Sequence, residues 1–428
     1  MSCPPLSRLF QEPRPAWQPV AFGLDGGAPR TWDEFAAAAA WAAERARREG
    51  GLRWVLACSD AWEFAAGLAG LLQAGRTVVL PPNFLPGTVA ALEREADGVL
   101  AGTGLAQPRA GLLEGNLEFW TSGSTGEPKG VARSLAQAEA EVAMLDRTFG
   151  HLLPPGPMVG TVPHHHIYGC LFRILWPLAA GRPFLGEPAG DPATFLRALD
   201  RPEPVALVAS PAHLSRLPQL LNLEELPVPP GVIFSSGGPL AGADAALWPG
   251  GVFEIYGSTE TGGIAWRHQG PDPASAEWTP CDDVTVAYEA GALVVTSFRA
   301  GPAPLRLEDA AEPAAGGRFR LLGRLDRVIK LAEKRISLPE LERALETHPW
   351  VARAALVPLE GGRPALGAVV VLRDAPAERE LLVRTLRAHL AQRFEGVALP
   401  KRWRFPLELP YDARGKLTPA ALAALFLA

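Results

Sequence analysis

Residues 119–131 read FWTSGSTGEPKGV, two bulky apolar residues that close a strand followed by four hydroxyl side chains, three glycines and one lysine. Such a run suits a loop that holds phosphate. Thr121, Ser122, Ser124 and Thr125 offer hydroxyl donors, Gly123, Gly126 and Gly130 let backbone N–H groups approach an anion, and Lys129 adds positive charge. A Walker A loop needs glycine before the lysine and Ser or Thr after it. Here Pro128 and Gly130 flank Lys129, which disfavours an ordinary P-loop ATPase, whose products would be ADP and phosphate. A plain surface turn also uses Gly, Ser, Thr and Pro, but has no reason to place four hydroxyls and a lysine directly after Phe119 and Trp120.

Upstream of this loop, TWDEFAAAAAWAAERARREG (31–50) reads as a helix, with acids at its start, basic residues at its end and a glycine behind it. WVLACS then reads as a buried strand, AWEFAAGLAGLLQAG as a second helix and TVVLPPN as a second strand, the alternation of a parallel α/β sheet. Downstream, VALVAS (205–210), GVIFSSGG (231–238) and VFEIYG (252–257) continue the pattern, with functional loops expected at their C-terminal ends. Beyond residue 270, VTVAYEAGALVVTSF and RFRLLGRL alternate as short antiparallel strands. The last hundred or so residues mix helix (LPELERALETHPWV, ERELLVRTLRAHLAQRF) with strand (RAALVPL, LGAVVVLR).

Length and composition fit a soluble globular chain of two or three domains: 428 residues, 48% hydrophobic and 20% charged. A net charge of −5 without a dense Lys/Arg run gives no footprint for nucleic acid or anionic membrane. Cys3, Cys58, Cys170 and Cys281 are far apart, without the spacing of a metal site or a disulfide framework. The first residues, MSCPPLSRLFQEPRPAW, lack the apolar core of a signal peptide, and no apolar stretch is long enough to span a bilayer, so a cytoplasmic protein without membrane insertion is expected.

A second motif, IYGSTETGG (255–263), ends a strand at Tyr256 and follows it with a glycine turn, two hydroxyls and the Glu260 carboxylate in one short stretch. A carboxylate suits hard Mg²⁺ on polyphosphate oxygens, and a flat ring gives a base a surface. Taken with the opening loop, this motif resembles the adenylate-forming superfamily of acyl-CoA synthetases, aryl-acid ligases and adenylation domains. The resemblance implies an α/β fold with a large N-terminal domain of parallel-sheet subdomains plus a small β subdomain (1–325). A small mobile α+β C-terminal domain (326–428) would follow. The shortfall in length against most such proteins lies ahead of the phosphate loop, where a trimmed N-terminal subdomain is expected.

Carried over residue by residue, Tyr256 would lie beside adenine, Thr259 on phosphate and Glu260 on Mg²⁺, with Gly257 and Ser258 also among the nucleotide-binding residues. SSGGPL (235–240) is similar to the family's adenine-side turn, giving Ser236, Gly237 and Gly238, and RLEDAAE supplies Asp309 for the ribose hydroxyls. LLGRLDRVIK resembles the domain junction, making Arg324 a ribose or phosphate contact and Asp326 the hinge. Glu333 stands where glycine is common, so no tunnel-lining role is transferred to the residues around it. LPYDARGKLTP resembles the C-terminal signature whose lysine, here Lys416, bridges carboxylate and α-phosphate.

VPHHHIYG (162–169) carries three adjacent histidines, but a strand would point them to opposite faces, which argues against a metal site. By resemblance His166 acts at the acyl site, as a pocket wall or a gate for the carboxylate, with Tyr168, Gly169, Gly262, Gly263 and Ala265 framing a flat pocket. The implied reaction consumes ATP with Mg²⁺, forms acyl-AMP and passes the acyl group to a thiol of coenzyme A or of a carrier protein's phosphopantetheine. An aryl acid is the first expectation and a medium-chain fatty acid the second, with a likeness in outline to ligases of aryl-polyene or fatty-acid-like systems. The alternative of another class is a catalytically inactive nucleotide-binding regulator of the same fold, which retention of Lys129, Glu260 and Lys416 argues against.

Overall fold

Helix Trp32–Glu49 begins at a capping box: the Thr31 side chain accepts from the Glu34 N–H while the Glu34 carboxylate accepts from the Thr31 N–H. Asp33 and Glu34 sit at its positive end and Arg47 and Arg48 at its negative end, and Gly50, at φ 79°, stops it. The computed structural model describes residues 3–121, 129–270, 277–331, 334–359, 365–373, 378–394, 396–410 and 419–426. Two compact units result: Met1–Thr285 with Thr296–Pro304, and Val286–Val295 with Leu305–Ala428.

The first unit holds two sheets. In one, the strand order is Gly98–Leu100, Arg53–Leu56, Thr77–Leu80, Asn116–Thr121, Lys129–Ser134, the first four parallel and the last antiparallel. Trp54, Val55, Leu56, Val78, Val79 and Leu80 are fully buried, as continuous apolar runs in a covered parallel sheet must be. The segment read as WVLACS and the phosphate-loop strand thus lie two strands apart in the same sheet.

The other sheet runs through Met158–Gly160, Ala206–Ala209, Val232–Ser235 and Val252–Ser258 as parallel neighbours. Gly262–Gln269 and then Glu277–Pro280 pair antiparallel on one side. One face packs Phe195, Leu199, Leu214, Ile233 and Trp248. Phe149, Phe172, Trp176, Phe234, Phe253 and Trp266 form a chain of ring contacts 5.3–6.1 Å between centroids. Each buried ring stabilises the fold by about 1.5–3 kcal/mol through area removed from water.

The second unit is α+β. Leu305–Pro313 pairs antiparallel with Phe319–Arg324, and Val328–Leu331 with Lys334–Ser337. Helices Leu338–Glu346 and Arg379–Ala391 cover a sheet of Val351–Leu359, Ala365–Leu372 and Arg402–Arg404, around a core that includes Leu341, Leu345, Leu356, Val370, Leu386 and Trp403. The antiparallel texture read from VTVAYEAGALVVTSF is present as Thr285–Glu289 and Ala292–Thr296, joined through Ala290 and Gly291 at positive φ. The unit boundary falls at residues 285–305, earlier than the functional division expected at Asp326.

Candidate active site

In parallel α/β sheets, ligands collect at the carboxyl ends of strands. Here Thr121 ends one strand of the first sheet, and Val162, Ser210 and Ser236 each follow just after a strand of the second. These residues line a cavity of ≈ 360 Å³ together with Phe119, Trp120, His165, His166, Tyr168 and Phe172. Glycines open the rest of its wall at Gly169, Gly237, Gly257, Gly262 and Gly263, with Ser258 and Thr259 at the same edge, and Pro163, Ile167, Leu171, Ile255 and Glu141 complete the lining. Aromatic faces with a few hydroxyls describe a site for a flat, mostly apolar ligand with a polar end.

The stretch IYGSTETGG folds differently from a strand that stops at Tyr256. Strand Val252–Ser258 continues past the tyrosine, and Thr259, Glu260 and Thr261 make the turn into Gly262–Gln269. Gly257 permits this, since a Cβ there would sit 2.1 Å from the Gly262 carbonyl oxygen. Buried Thr261 locks the turn from inside: its hydroxyl accepts from the Ser258 N–H at 3.0 Å and donates to the Gly262 carbonyl at 2.8 Å. Strand alternation then turns Ile255 and Gly257 to the cavity and leaves Tyr256 outside its wall, its ring 5.6 Å from that of Trp278.

Beneath this turn lies a set of buried charges that motif reading missed. Glu141, on helix Leu135–Phe149, pairs with Arg133 at 3.2 Å and faces Arg299 at 3.4 Å, a charge contact without hydrogen-bond alignment. Arg299 makes a fork with Asp283 at 2.6 and 2.7 Å. Burial disfavours the charge on both guanidiniums; it lowers the pKa of Arg133, whereas the hydrogen bonds that Arg299 donates to Asp283 and the charge of Glu141 leave Arg299 raised. The one signal in the sequence was a carboxylate within an otherwise apolar helical stripe of Ala138, Val142 and Leu145.

The histidine segment is no strand. Residues 164–166 form a turn that enters Ile167–Gly169 and then a π-helical stretch, Cys170–Leu175. Pro177 lacks the N–H that would bond to the Arg173 carbonyl, one reason the helix departs from its regular pattern there. His164 is buried, with Nε2 3.2 Å from the Cys58 carbonyl oxygen, and burial drives its pKa down to about 3. His165 and His166 line the cavity instead. Burial, then the charge of His166, brings His165 down to about 4, and burial lowers His166, so the wall carries neutral imidazoles at neutral pH.

Of the residues singled out from sequence, the cavity brings together Thr121, Ser236, Gly237, Gly257, Ser258, Thr259, His166, Tyr168, Gly169, Gly262 and Gly263. Lys129 and Glu260 meet at its rim, Nζ to Oε1 3.6 Å, both exposed. Gly238 and Ala265 are not in the wall; Ala265 lies further along its strand, away from the turn, paired with Tyr256 and Pro280. In the second unit Asp309 and Arg324 are register partners on neighbouring strands, Arg324 also pairs with Glu308, and Asp326 stands in the turn Leu325–Arg327. Ser122, Gly123, Ser124, Thr125, Gly126 and Lys416 lie outside the described residues.

Residues 118–294 match the family model described as AMP-binding enzyme, and residues 340–416 that of the AMP-binding enzyme C-terminal domain. A 4-coumarate–CoA ligase of Rhodobacter capsulatus is 32% identical over 310 residues, covering 70% of this chain and 73% of that protein. Another 4-coumarate–CoA ligase, from Halorhodospira halophila, is 30% identical, covering 70% and 74%. Among solved structures, ATP-bound MatB from Rhodopseudomonas palustris superposes with a TM-score of 0.81 at 18% identity, over 100% of this chain and 99% of that one, and so shares the fold. Both family domains follow in order along one chain, and the protein belongs to the AMP-binding enzyme family of ATP-dependent, AMP-forming acid–thiol ligases in the adenylate-forming superfamily.

Proposed function

We propose that the protein activates an aryl carboxylic acid as its acyl-adenylate and transfers the acyl group to coenzyme A. The observation that carries this is the cavity itself: Phe119, Trp120, Tyr168 and Phe172 give flat walls, glycines leave room between them, and the Thr259–Glu260 turn stands at one edge. The 4-coumarate–CoA ligase relatives support the choice of an aryl acid and of coenzyme A.

In the reaction, a carboxylate oxygen of the acid attacks the α-phosphorus of ATP and pyrophosphate leaves. The thiol sulfur then attacks the acyl carbon, and AMP leaves with the carboxylate-derived oxygen. Thr121 to Gly126 and Lys129 would grip the β and γ phosphates. Thr259 would hold phosphate, Tyr256 with Ser236–Gly238 would flank adenine, and Asp309 and Arg324 would bind ribose and phosphate. Lys416 would neutralise charge at the α-phosphate, and rotation about Asp326 would separate the two steps.

The Glu260 carboxylate is exposed at the rim, with Lys129 as a partner that phosphate would attract away. One hard oxygen donor of this kind suits Mg²⁺, which takes one or two carboxylates and otherwise phosphate oxygens and water. Bound there, the ion supplies charge neutralisation on the departing pyrophosphate. His165 and His166, neutral in the wall, let the substrate carboxylate enter without a competing fixed cation. The reading assigns the enzyme to the cytoplasm, where ATP and coenzyme A are available; among the described residues no helix is long and apolar enough to cross a membrane.

The test is acid-dependent ATP–pyrophosphate exchange with a panel of hydroxycinnamates, benzoates and medium-chain fatty acids, followed by thioester formation with coenzyme A and with a phosphopantetheinyl carrier protein. Exchange strongest with aryl acids, and a thioester with coenzyme A, is the expected result. Exchange with fatty acids alone would refute the choice of acid, and thioester on the carrier protein alone would refute the choice of acceptor.

A further inference from the structure

Helix Leu135–Phe149 turns Leu135, Ala138, Val142, Leu145 and Phe149 inward at helical spacing, and Glu141 stands among them with its side chain 3% exposed. Arg133 and Arg299 beside it are 3% and 0% exposed. A buried ion pair contributes little net stability compared with apolar side chains of similar volume, because desolvation offsets most of the attraction. Such groups earn an explanation in geometry.

That geometry is a clamp. Arg133 uses Nη2 on Glu141 and Nη1 on the carbonyl oxygens of Thr259 and Glu260, at 3.2 and 3.1 Å. The other Glu141 oxygen accepts from the Gly263 N–H at 2.6 Å. Both sides of the turn are therefore tied to one carboxylate. Arg133 also shares its strand with Lys129, whose ammonium faces the Glu260 side chain. Gly262, at φ 69°, brings the backbone so close that a Cβ would lie 2.2 Å from Glu141.

We propose that Glu141 is a positioning residue for nucleotide and Mg²⁺ binding: through Arg133 and the Gly263 N–H it fixes the turn that aims Thr259 and Glu260 at the phosphates. The role rests on the reading that Thr259 and Glu260 contact Mg·ATP. A group that orients ligands in this way changes metal affinity or activity roughly 10- to 100-fold when removed.

The test measures KM for Mg·ATP, half-saturating Mg²⁺ and KM for the acid in pyrophosphate exchange, for Glu141→Gln, for Arg133→Met/Glu141→Gln and for Glu260→Gln. The double variant removes one charge of each sign, which protects folding if the single variant is unstable. The expected result is a rise of roughly tenfold or more in KM for Mg·ATP and in the Mg²⁺ requirement for both Glu141 variants, with KM for the acid changed less than about twofold. Wild-type nucleotide constants in a folded Glu141 variant would overturn the positioning role, as would an equal rise in both KM values. Unchanged constants in Glu260→Gln would instead overturn the underlying assignment of the turn, and the positioning role with it.

Discussion

The guanidinium of Arg133 donates to the backbone carbonyls of Thr259 and Glu260, at 3.2 and 3.1 Å, joining the strand that follows the phosphate loop to a turn more than a hundred residues away. The strand Lys129–Ser134 and the Thr259–Glu260 turn, which read separately in the sequence, are thereby joined.

Lys129 and Glu260 form an exposed pair at 3.6 Å, of a kind that contributes at most about 1 kcal/mol to stability. Lys129→Met should leave the melting temperature nearly unchanged. KM for Mg·ATP should rise, and its dependence on ionic strength should flatten, because a phosphate-facing charge is lost. Steady-state kinetics at two salt concentrations check this.

Gly262 has a left-handed φ of 69° and no room for a side chain against Glu141. Gly262→Ala should destabilise the protein by about 1–3 kcal/mol and weaken nucleotide binding together, as strain at the turn moves Thr259 and Glu260. Urea unfolding and nucleotide titration of the same sample provide the two readouts.

His164 is held neutral by burial, its pKa lowered from 6.5 to about 3. A depressed histidine contributes stability that is complete above its unfolded pKa and is lost as pH falls toward the folded value. Stability should therefore decline from pH ~6.5 to pH ~5 by up to about 2 kcal/mol from this group, before the carboxylates begin to titrate. His164→Phe, placed between Phe64 and Phe84, should make that part of the profile shallower, with the decline that remains carried by His165 and His166, which burial also holds low. An unchanged slope would mean that another group is responsible.

Lys416→Ala should lower acyl-AMP formation roughly 100-fold or more while thioester formation from supplied acyl-AMP stays largely intact. Rapid-quench measurement of each half-reaction distinguishes this from a general defect, which would slow both steps alike.

Much of the fold was legible because its signals are local. Thr31 and Gly50 bracket a helix by cap chemistry, and WVL and TVVL are buried runs that only a covered strand explains. The cavity lining was partly legible, since glycines and hydroxyls at strand ends mark it. What escaped was non-local. Nothing near Glu141 announces Arg299, which comes 158 positions later in the chain. Tyr256 was expected to close a strand, yet pairing with Gly262–Gln269 carries the strand to Ser258, a tertiary decision that propensity does not encode. The three histidines, weighed in the sequence against a metal site, form a turn after Pro163 ahead of the π-helical segment, and which of them is buried and which lines the cavity is set by packing that the sequence does not show.

Transfer of oxygen during a single turnover tests the central claim most directly. An aryl acid such as 4-hydroxycinnamate, labelled with oxygen-18 in its carboxylate, is mixed with enzyme, Mg·ATP and coenzyme A, and the products are analysed by mass spectrometry. The label should appear in AMP, with unlabelled pyrophosphate and an aryl thioester beside it, because the carboxylate oxygen that attacks the α-phosphorus departs with the nucleotide. Release of ADP with the label in inorganic phosphate, or hydrolysis of ATP without label transfer, would contradict an acyl-adenylate formed in this cavity.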